Sequence, residues 1–271
     1  CTGDRWNEAR TRLFVGTFRS DAGEYAVAQE QLTMAIRICA DLGDQFGEDS
    51  ARIHLAWVLV SRGAFEAALE HQSRVLANAL RSSDRLVEGW AHAGIGDCAR
   101  LLGDFARAEQ EFDVAGRLFA TIDDPQGELW VNIFLSELRH EQGDAVGAAA
   151  AIACAVEITR EHELFLDQQI TLALQAHRLL DLGRVDEAAA SYGRVAPGLE
   201  QPHWLRIELL AIQARLGLAR DDLGAALEAV HAMVPLIQRH TIDGALQPAR
   251  PYLWGARTLL AANTPEAAEL I

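Results

Sequence analysis

Two spacings in this chain have the residue types for metal chemistry: Glu137 with His140, and Glu228 with His231. A Glu and a His three residues apart share one face of a helix, and two such pairs facing each other hold di-iron in helix bundles. Nucleophiles are scarcer. Four cysteines stand at positions 1, 39, 98 and 154, with no C-x-x-C pair and no zinc-type spacing. Cys39, Cys98 and Cys154 read as reduced, small core residues on helices. The sequence has no G-x-S-x-G elbow, no H-E-x-x-H helix and no G-x-x-x-x-G-K-[ST] phosphate loop. Gly94-Ile95-Gly96 follows no strand, so it suits close helix packing rather than a dinucleotide turn.

Whether the two Glu-x-x-His pairs can meet depends on the elements that carry them, and those elements repeat. Glycines stand at 23, 63, 103, 143 and 183, a constant step of 40 residues, each followed by motifs such as Gly103-Asp104-Phe105-Ala106-Arg107-Ala108. Degenerate copies follow at Asp221 and Asn263. A glycine that recurs between two apolar-periodic segments marks a helix end, where a positive φ is needed. Asp and Asn are among the residues that tolerate that conformation best after glycine.

A second regularity is independent of the hinge. Seven residues before each hinge stand Gly16, Ala56, Gly96, Ser136, Ala176, Ala214 and Ala256, all small. Two helices that cross closely need a small residue at the contact point, since a large one forces the axes apart. Nine residues after the hinges stand Leu32, Gln72, Phe112, Ile152, Tyr192 and Val230, bulky and apolar except for Gln72. The expected fold is therefore all-α, a right-handed α-solenoid of about seven helix hairpins that runs as one domain over residues 1–271. In such an array each repeat touches mainly its neighbours, so Glu137 and Glu228 should lie far apart and no metal site or cofactor is expected.

These residues resemble the tetratricopeptide family, whose pattern places a small residue in the first helix, Gly-Asp-Tyr/Phe at the hinge, then a bulky residue and an alanine. The third repeat carries it most fully, in Gly96, Gly103, Asp104, Phe105, Ala108, Phe112 and Ala115. The period of 40 exceeds the family's usual ~34, and longer helices or longer turns would both absorb the difference. The spacing, the alanine-rich helices and turns such as Asp123-Asp124-Pro125-Gln126-Gly127 also resemble the helical arm of large bacterial signal-transduction ATPases, among them LuxR-type and maltose-activator-like transcription regulators. That resemblance implies a non-enzymatic, cytoplasmic sensing arm that receives an inducer or a partner protein while other domains handle ATP and DNA. A free-standing scaffold for protein partners is the alternative. Neither end of the sequence carries a polar capping element, which suggests a segment of a longer protein.

The resemblance also implies a concave groove lined by the first helix of each hairpin. One residue after the small contact position stand Thr17, Trp57, Asp97, Glu137, His177, Arg215 and Arg257. Neighbouring positions add His54, Phe134 and Trp254, and one turn further on come Arg100 and His140. Trp90 and Trp130 recur near the helix starts. Aromatic faces with fixed charges suit a protein or peptide segment, or a small polar inducer. On this reading Trp57→Ala and Arg215→Ala should weaken binding with little loss of melting temperature.

Bulk composition narrows the partners. The 271 residues carry a formal net charge of −15, with Asp and Glu outnumbering Lys and Arg by 39 to 24. Such a surface repels a phosphate backbone, so direct nucleic-acid binding by this segment is not expected. No apolar run approaches the ~20 residues of a bilayer span, so no membrane partner is expected either.

Overall fold

The computed structural model describes residues 2–195, 203–239 and 249–262. Thirteen helices account for nearly all of them, and no strand occurs among the described residues. The chain divides into two compact units, residues 1–142 and 143–271.

The first unit holds α1 (Thr2–Asp21), α2 (Tyr25–Leu42), α3 (Gln45–Ser61), α4 (Phe65–Ser82), α5 (Arg85–Leu101), α6 (Phe105–Ile122) and α7 (Pro125–Glu141). Each helix packs on the next, and α1, α3, α5 and α7 also touch in succession. Every turn is two or three residues long, so the excess over the usual tetratricopeptide period goes into helices of 17 to 20 residues.

Two series of left-handed residues punctuate the unit. The hinges Gly23, Gly63 and Gly103 have φ of 77°, 74° and 83°. Between them stands a second series, Gly43, Ser83 and Asp123, with φ of 70°, 58° and 54°. The next helix starts at once because Asp44, Asp84 and Asp104 each accept a hydrogen bond from the backbone N–H three residues on.

The small residues form the contact points that the register requires. A Cβ added at Gly16 would lie 2.6 Å from Leu32, and one at Gly96 would lie 2.6 Å from Phe112. Successive hairpins are locked by Phe119, whose ring fills the space left by Gly89 on α5 and Gly127 on α7. Gln72 occupies the bulky position in the second hairpin and lies against Gly94, which has no side chain to displace it.

The second unit holds α8 (Ala145–Glu161), α9 (Phe165–Asp181), α10 (Val185–Gly193), α11 (His203–Ala219), α12 (Leu223–Arg239) and α13 (Ala249–Ala261). Gly143, Gly183 and Asp221 are left-handed at their hinges, and Glu163 continues the second series with φ of 54°. Ala176 and Ala214 are fully buried contact points. The hinge expected at Asn263 lies outside the described residues. Cys39 and Cys98 are buried as expected, but Cys154 is exposed. It sits on the outer flank of α8, at the register position that Arg74 holds, exposed, on α4.

Candidate functional site

Within each unit the first helices of the hairpins carry the expected recognition residues. In the first unit their face carries an aromatic cluster. Trp57 of α3 stacks on Phe134 of α7 with centroids 5.6 Å apart and planes 15° from parallel. Trp130 closes the group at 6.3 Å from Trp57 and 5.8 Å from Phe134. Phe112 lies under Phe134 at 5.6 Å. Trp57 and Trp130 are half-buried, whereas Phe134 is fully buried and can act only as their floor. Trp90 turns instead to Phe119, edge-on at 5.2 Å. His54 is half-buried, and burial lowers its pKa.

Beside the aromatics lies a buried charge network. Arg100 donates from Nε and Nη2 to Asp97 at 3.0 and 2.7 Å, and from Nη1 to Glu141. Asp97, Arg100 and Glu137 are 3%, 2% and 0% exposed, so these three expected groove residues face inward. Burial alone would lower the Arg100 pKa, but the carboxylates of Asp97, Glu141 and Glu137 outweigh it and raise it. Once one partner of such a network is removed, an uncompensated charge remains in a low-dielectric site. The network therefore fixes the floor of the face rather than offering free charge to a ligand. His140 is half-buried on α7, and Thr17 on α1 donates its hydroxyl to the Leu13 carbonyl.

The second unit repeats this plan with different residues. Arg215 donates to Nδ1 of His177 at 2.9 Å and to Asp181 at 2.7 Å. Arginine can only donate, so Nδ1 of His177 accepts and the proton sits on Nε2, which donates to Glu208 at 3.1 Å. Burial, then the nearby Arg250, Arg215 and Arg178, hold the His177 pKa well below its usual range. A Glu–His pair can serve as a general base only while one ring nitrogen is open, and here both are engaged. The Arg215 guanidinium lies 4.2 Å over the ring of Trp254, and the exposed Arg257 lies over the same ring at 4.7 Å. A small cleft beside the pair is walled by Ile170, Leu174, Trp204 and Leu205.

The structure thus brings together Trp57 and Phe134, then Asp97, Arg100 and Glu137, and in the second unit His177, Arg215, Trp254 and Arg257. The sequence reading missed Glu141, Asp181 and Glu208, the carboxylates that neutralise the stripe. Glu141 and Asp181 do share a register position, 40 residues apart, at the last turn of α7 and α9. Of the Glu-x-x-His pairs, Glu228 and His231 are exposed on α12. Among the described residues no group of three His, Cys, Asp or Glu side chains is placed to hold a metal ion. No described helix is long and apolar enough to cross a membrane.

No family model matches the chain, and no curated protein is similar to it in sequence. Solved structures are similar in fold. A Rap protein complexed with Competence and Sporulation Factor superposes with a TM-score of 0.77 at 13% identity, covering 97% of this chain and 72% of that one. The apo form of RapI gives 0.64 at 14% identity over 86% and 84% of the two chains. A signal-transduction ATPase with numerous domains and a tetratricopeptide repeat sensor, from Pyrococcus horikoshii, gives 0.63 at 16% identity over 93% of this chain and 38% of that one. The fold is the tetratricopeptide-repeat fold. At these identities the likeness extends to the backbone plan and not to any side chain of the face described above.

Proposed function

We propose that this tetratricopeptide-fold chain is a non-catalytic binding module, and that its partner is a protein or peptide segment lying against the first-helix face. The observation that carries the reading is the half-exposed pair Trp57 and Trp130, set on the buried ring of Phe134 and bordered by the Asp97–Arg100–Glu141 network. Rigid, half-buried aromatics supply contact area at low entropic cost, which is the usual make-up of an interaction hot spot. The Rap protein solved with Competence and Sporulation Factor supports such a use of the fold. His54 and His140 extend the face in the first unit, and Trp254 with Arg257 would form a candidate patch of its own in the second.

Within that reading, the chain acts as the sensing arm of a multidomain regulator. The repeat style supports this, as does the Pyrococcus horikoshii ATPase, in which a tetratricopeptide repeat is named as sensor. A small inducer would then use the same face, and a free-standing scaffold remains the competing role.

The test is a selection of peptides from a displayed random library on the folded chain, repeated with Trp57→Ala and Trp130→Ala. The reading expects selected peptides to lose at least about tenfold in affinity on either substitution, the size of one buried aromatic anchor. Selected peptides indifferent to both substitutions would overturn it.

A further inference from the structure

The longer first helices of this chain carry an added feature at their N-terminal ends. Ten residues before the contact points Gly16, Ala56 and Gly96 stand Trp6, Phe46 and Leu86. All three are exposed, at 42%, 73% and 45%, on the successive, touching helices α1, α3 and α5 of the first unit. Single exposed apolar residues are ordinary, but three large ones in one register position form a contiguous row. The row stops at α7, where the equivalent residue is Gln126.

The surroundings of the row indicate what it fits. Neighbouring helices pack with axes ~8–10 Å apart, so the three side chains are spaced by roughly that step. An α-helix presents the same face every seven residues, or about 10.5 Å. The helix ends and turns along this edge are acidic: Asp4, Glu8, Asp41, Asp44, Asp84 and Asp123 stand against Arg5, Arg10, Arg81 and Arg85, with Arg10 lying 4.6 Å over the Trp6 ring. Two of those arginines are already bridged, Arg5 to Asp41 and Arg85 to Glu88, each at 2.8 Å. We infer that Trp6, Phe46 and Leu86 form a docking edge for an amphipathic helix of a partner protein, one whose apolar stripe is flanked by basic residues. Phe46 lies eleven residues before Trp57 on α3, about three helical turns toward the N-terminus, and the proposal does not rest on the Trp57–Trp130 contact.

The probe is a synthetic peptide of about 20 residues, long enough to cross three helices. Its leucines recur every third and fourth position and its remaining residues are lysine and alanine. A scrambled peptide of equal composition is the control. The expected result is saturable binding of the striped peptide with a shift in tryptophan fluorescence that Trp6→Phe removes, and binding weakened about tenfold or more by Phe46→Ser with Leu86→Ser. Val146→Ser, at an apolar residue 70% exposed on α8, should leave binding unchanged. Because the substituted side chains are exposed, the double variant should melt as the parent does. Equal binding of the scrambled peptide, or of the double variant, would overturn the proposal. So would self-association of the chain that the double variant abolishes, since the occupant would then be a second copy.

Discussion

Trp57 on α3 stacks on Phe134 on α7, 5.6 Å away, although a whole helix, α5, stands between their positions in the array. The residue of α5 at the register position of Phe134 is Gly94, which brings no side chain of its own to that level. The contact ties together hairpins that are not sequence neighbours, in a fold whose stability otherwise comes from adjacent pairs. A double-mutant cycle of Trp57→Ala and Phe134→Leu, followed by urea unfolding, should give a coupling of about 0.5–1.5 kcal/mol. Additive losses would mean that the two rings are held independently.

Gln72 is the one bulky-position residue in the unit that is not apolar. It is 1% exposed, and its Oε1 has no hydrogen-bond partner, whereas Leu32 and Phe112 fill the same register position with carbon. A buried acceptor left unbonded costs about 1–3 kcal/mol. Gln72→Leu should therefore raise the melting temperature by about 2–4 °C in differential scanning calorimetry. A lowered melting temperature would show that the amide is satisfied in solution.

Two glycines seven residues apart should fail for different reasons. Gly96→Leu drives carbon into Phe112, already 2.6 Å from where a Cβ would sit, and overpacking of this kind costs about 1–3 kcal/mol or more. Gly103→Ala meets nothing within 4 Å but must hold φ at +83°, a strain on the order of 1 kcal/mol. Urea denaturation separates the two, and a greater loss of stability from Gly103→Ala than from Gly96→Leu would refute the register.

The hinges and contact points were legible because each requirement selects a residue type at a fixed step: a positive φ selects glycine, and a close crossing selects a small side chain. The second series of turns was not legible in the same way. Ser83, Asp123 and Glu163 adopt the left-handed conformation without being glycine, so the sequence shows no constant letter there. The face was read less well than the fold. Asp97 with Arg100 is visible as an i, i+3 pair, but the partners that bury the rest come from other helices. Glu141 lies 41 residues from Arg100, and Asp181 lies 34 from Arg215. A stripe read one position at a time cannot show that its charges are already neutralised. The row of Trp6, Phe46 and Leu86 keeps the same 40-residue step but lies outside the usual family pattern, so that pattern gives no reason to single it out.

His177 gives the second unit a pH dependence. The unfolded imidazole titrates near its ordinary value of 6.5, and the folded one well below it. Between those values the unfolded chain binds a proton that the folded chain refuses. The stabilisation is therefore complete above about pH 6.5 and is lost progressively as pH falls. His54 and His71, also lowered chiefly by burial, act in the same direction. Melting temperature should fall from pH 7 to pH 5, and His177→Gln should flatten part of that slope by keeping both hydrogen bonds without a titrating ring. An unchanged slope would place the sensitivity elsewhere.

Arg215 and Arg257 share one aromatic ring and should differ sharply when removed. Arg215 was expected on the sequence to be a groove residue dispensable for stability. Its side chain is 6% exposed and bonded to Asp181 and His177, so Arg215→Ala would leave Asp181 with Arg178 alone, at 3.4 Å, and take the donor from the Nδ1 acceptor of His177. Loss of a hydrogen bond to a charged group costs about 1.5–3 kcal/mol. Arg257 is exposed and contributes only a cation–π contact with Trp254, worth about 0.5–1 kcal/mol at such a site. Chemical denaturation of both variants should show the large loss for Arg215→Ala alone. If Arg215→Ala unfolds like Arg257→Ala, the Asp181–Arg215–His177 chain is open to water in solution and its charges become available to a partner.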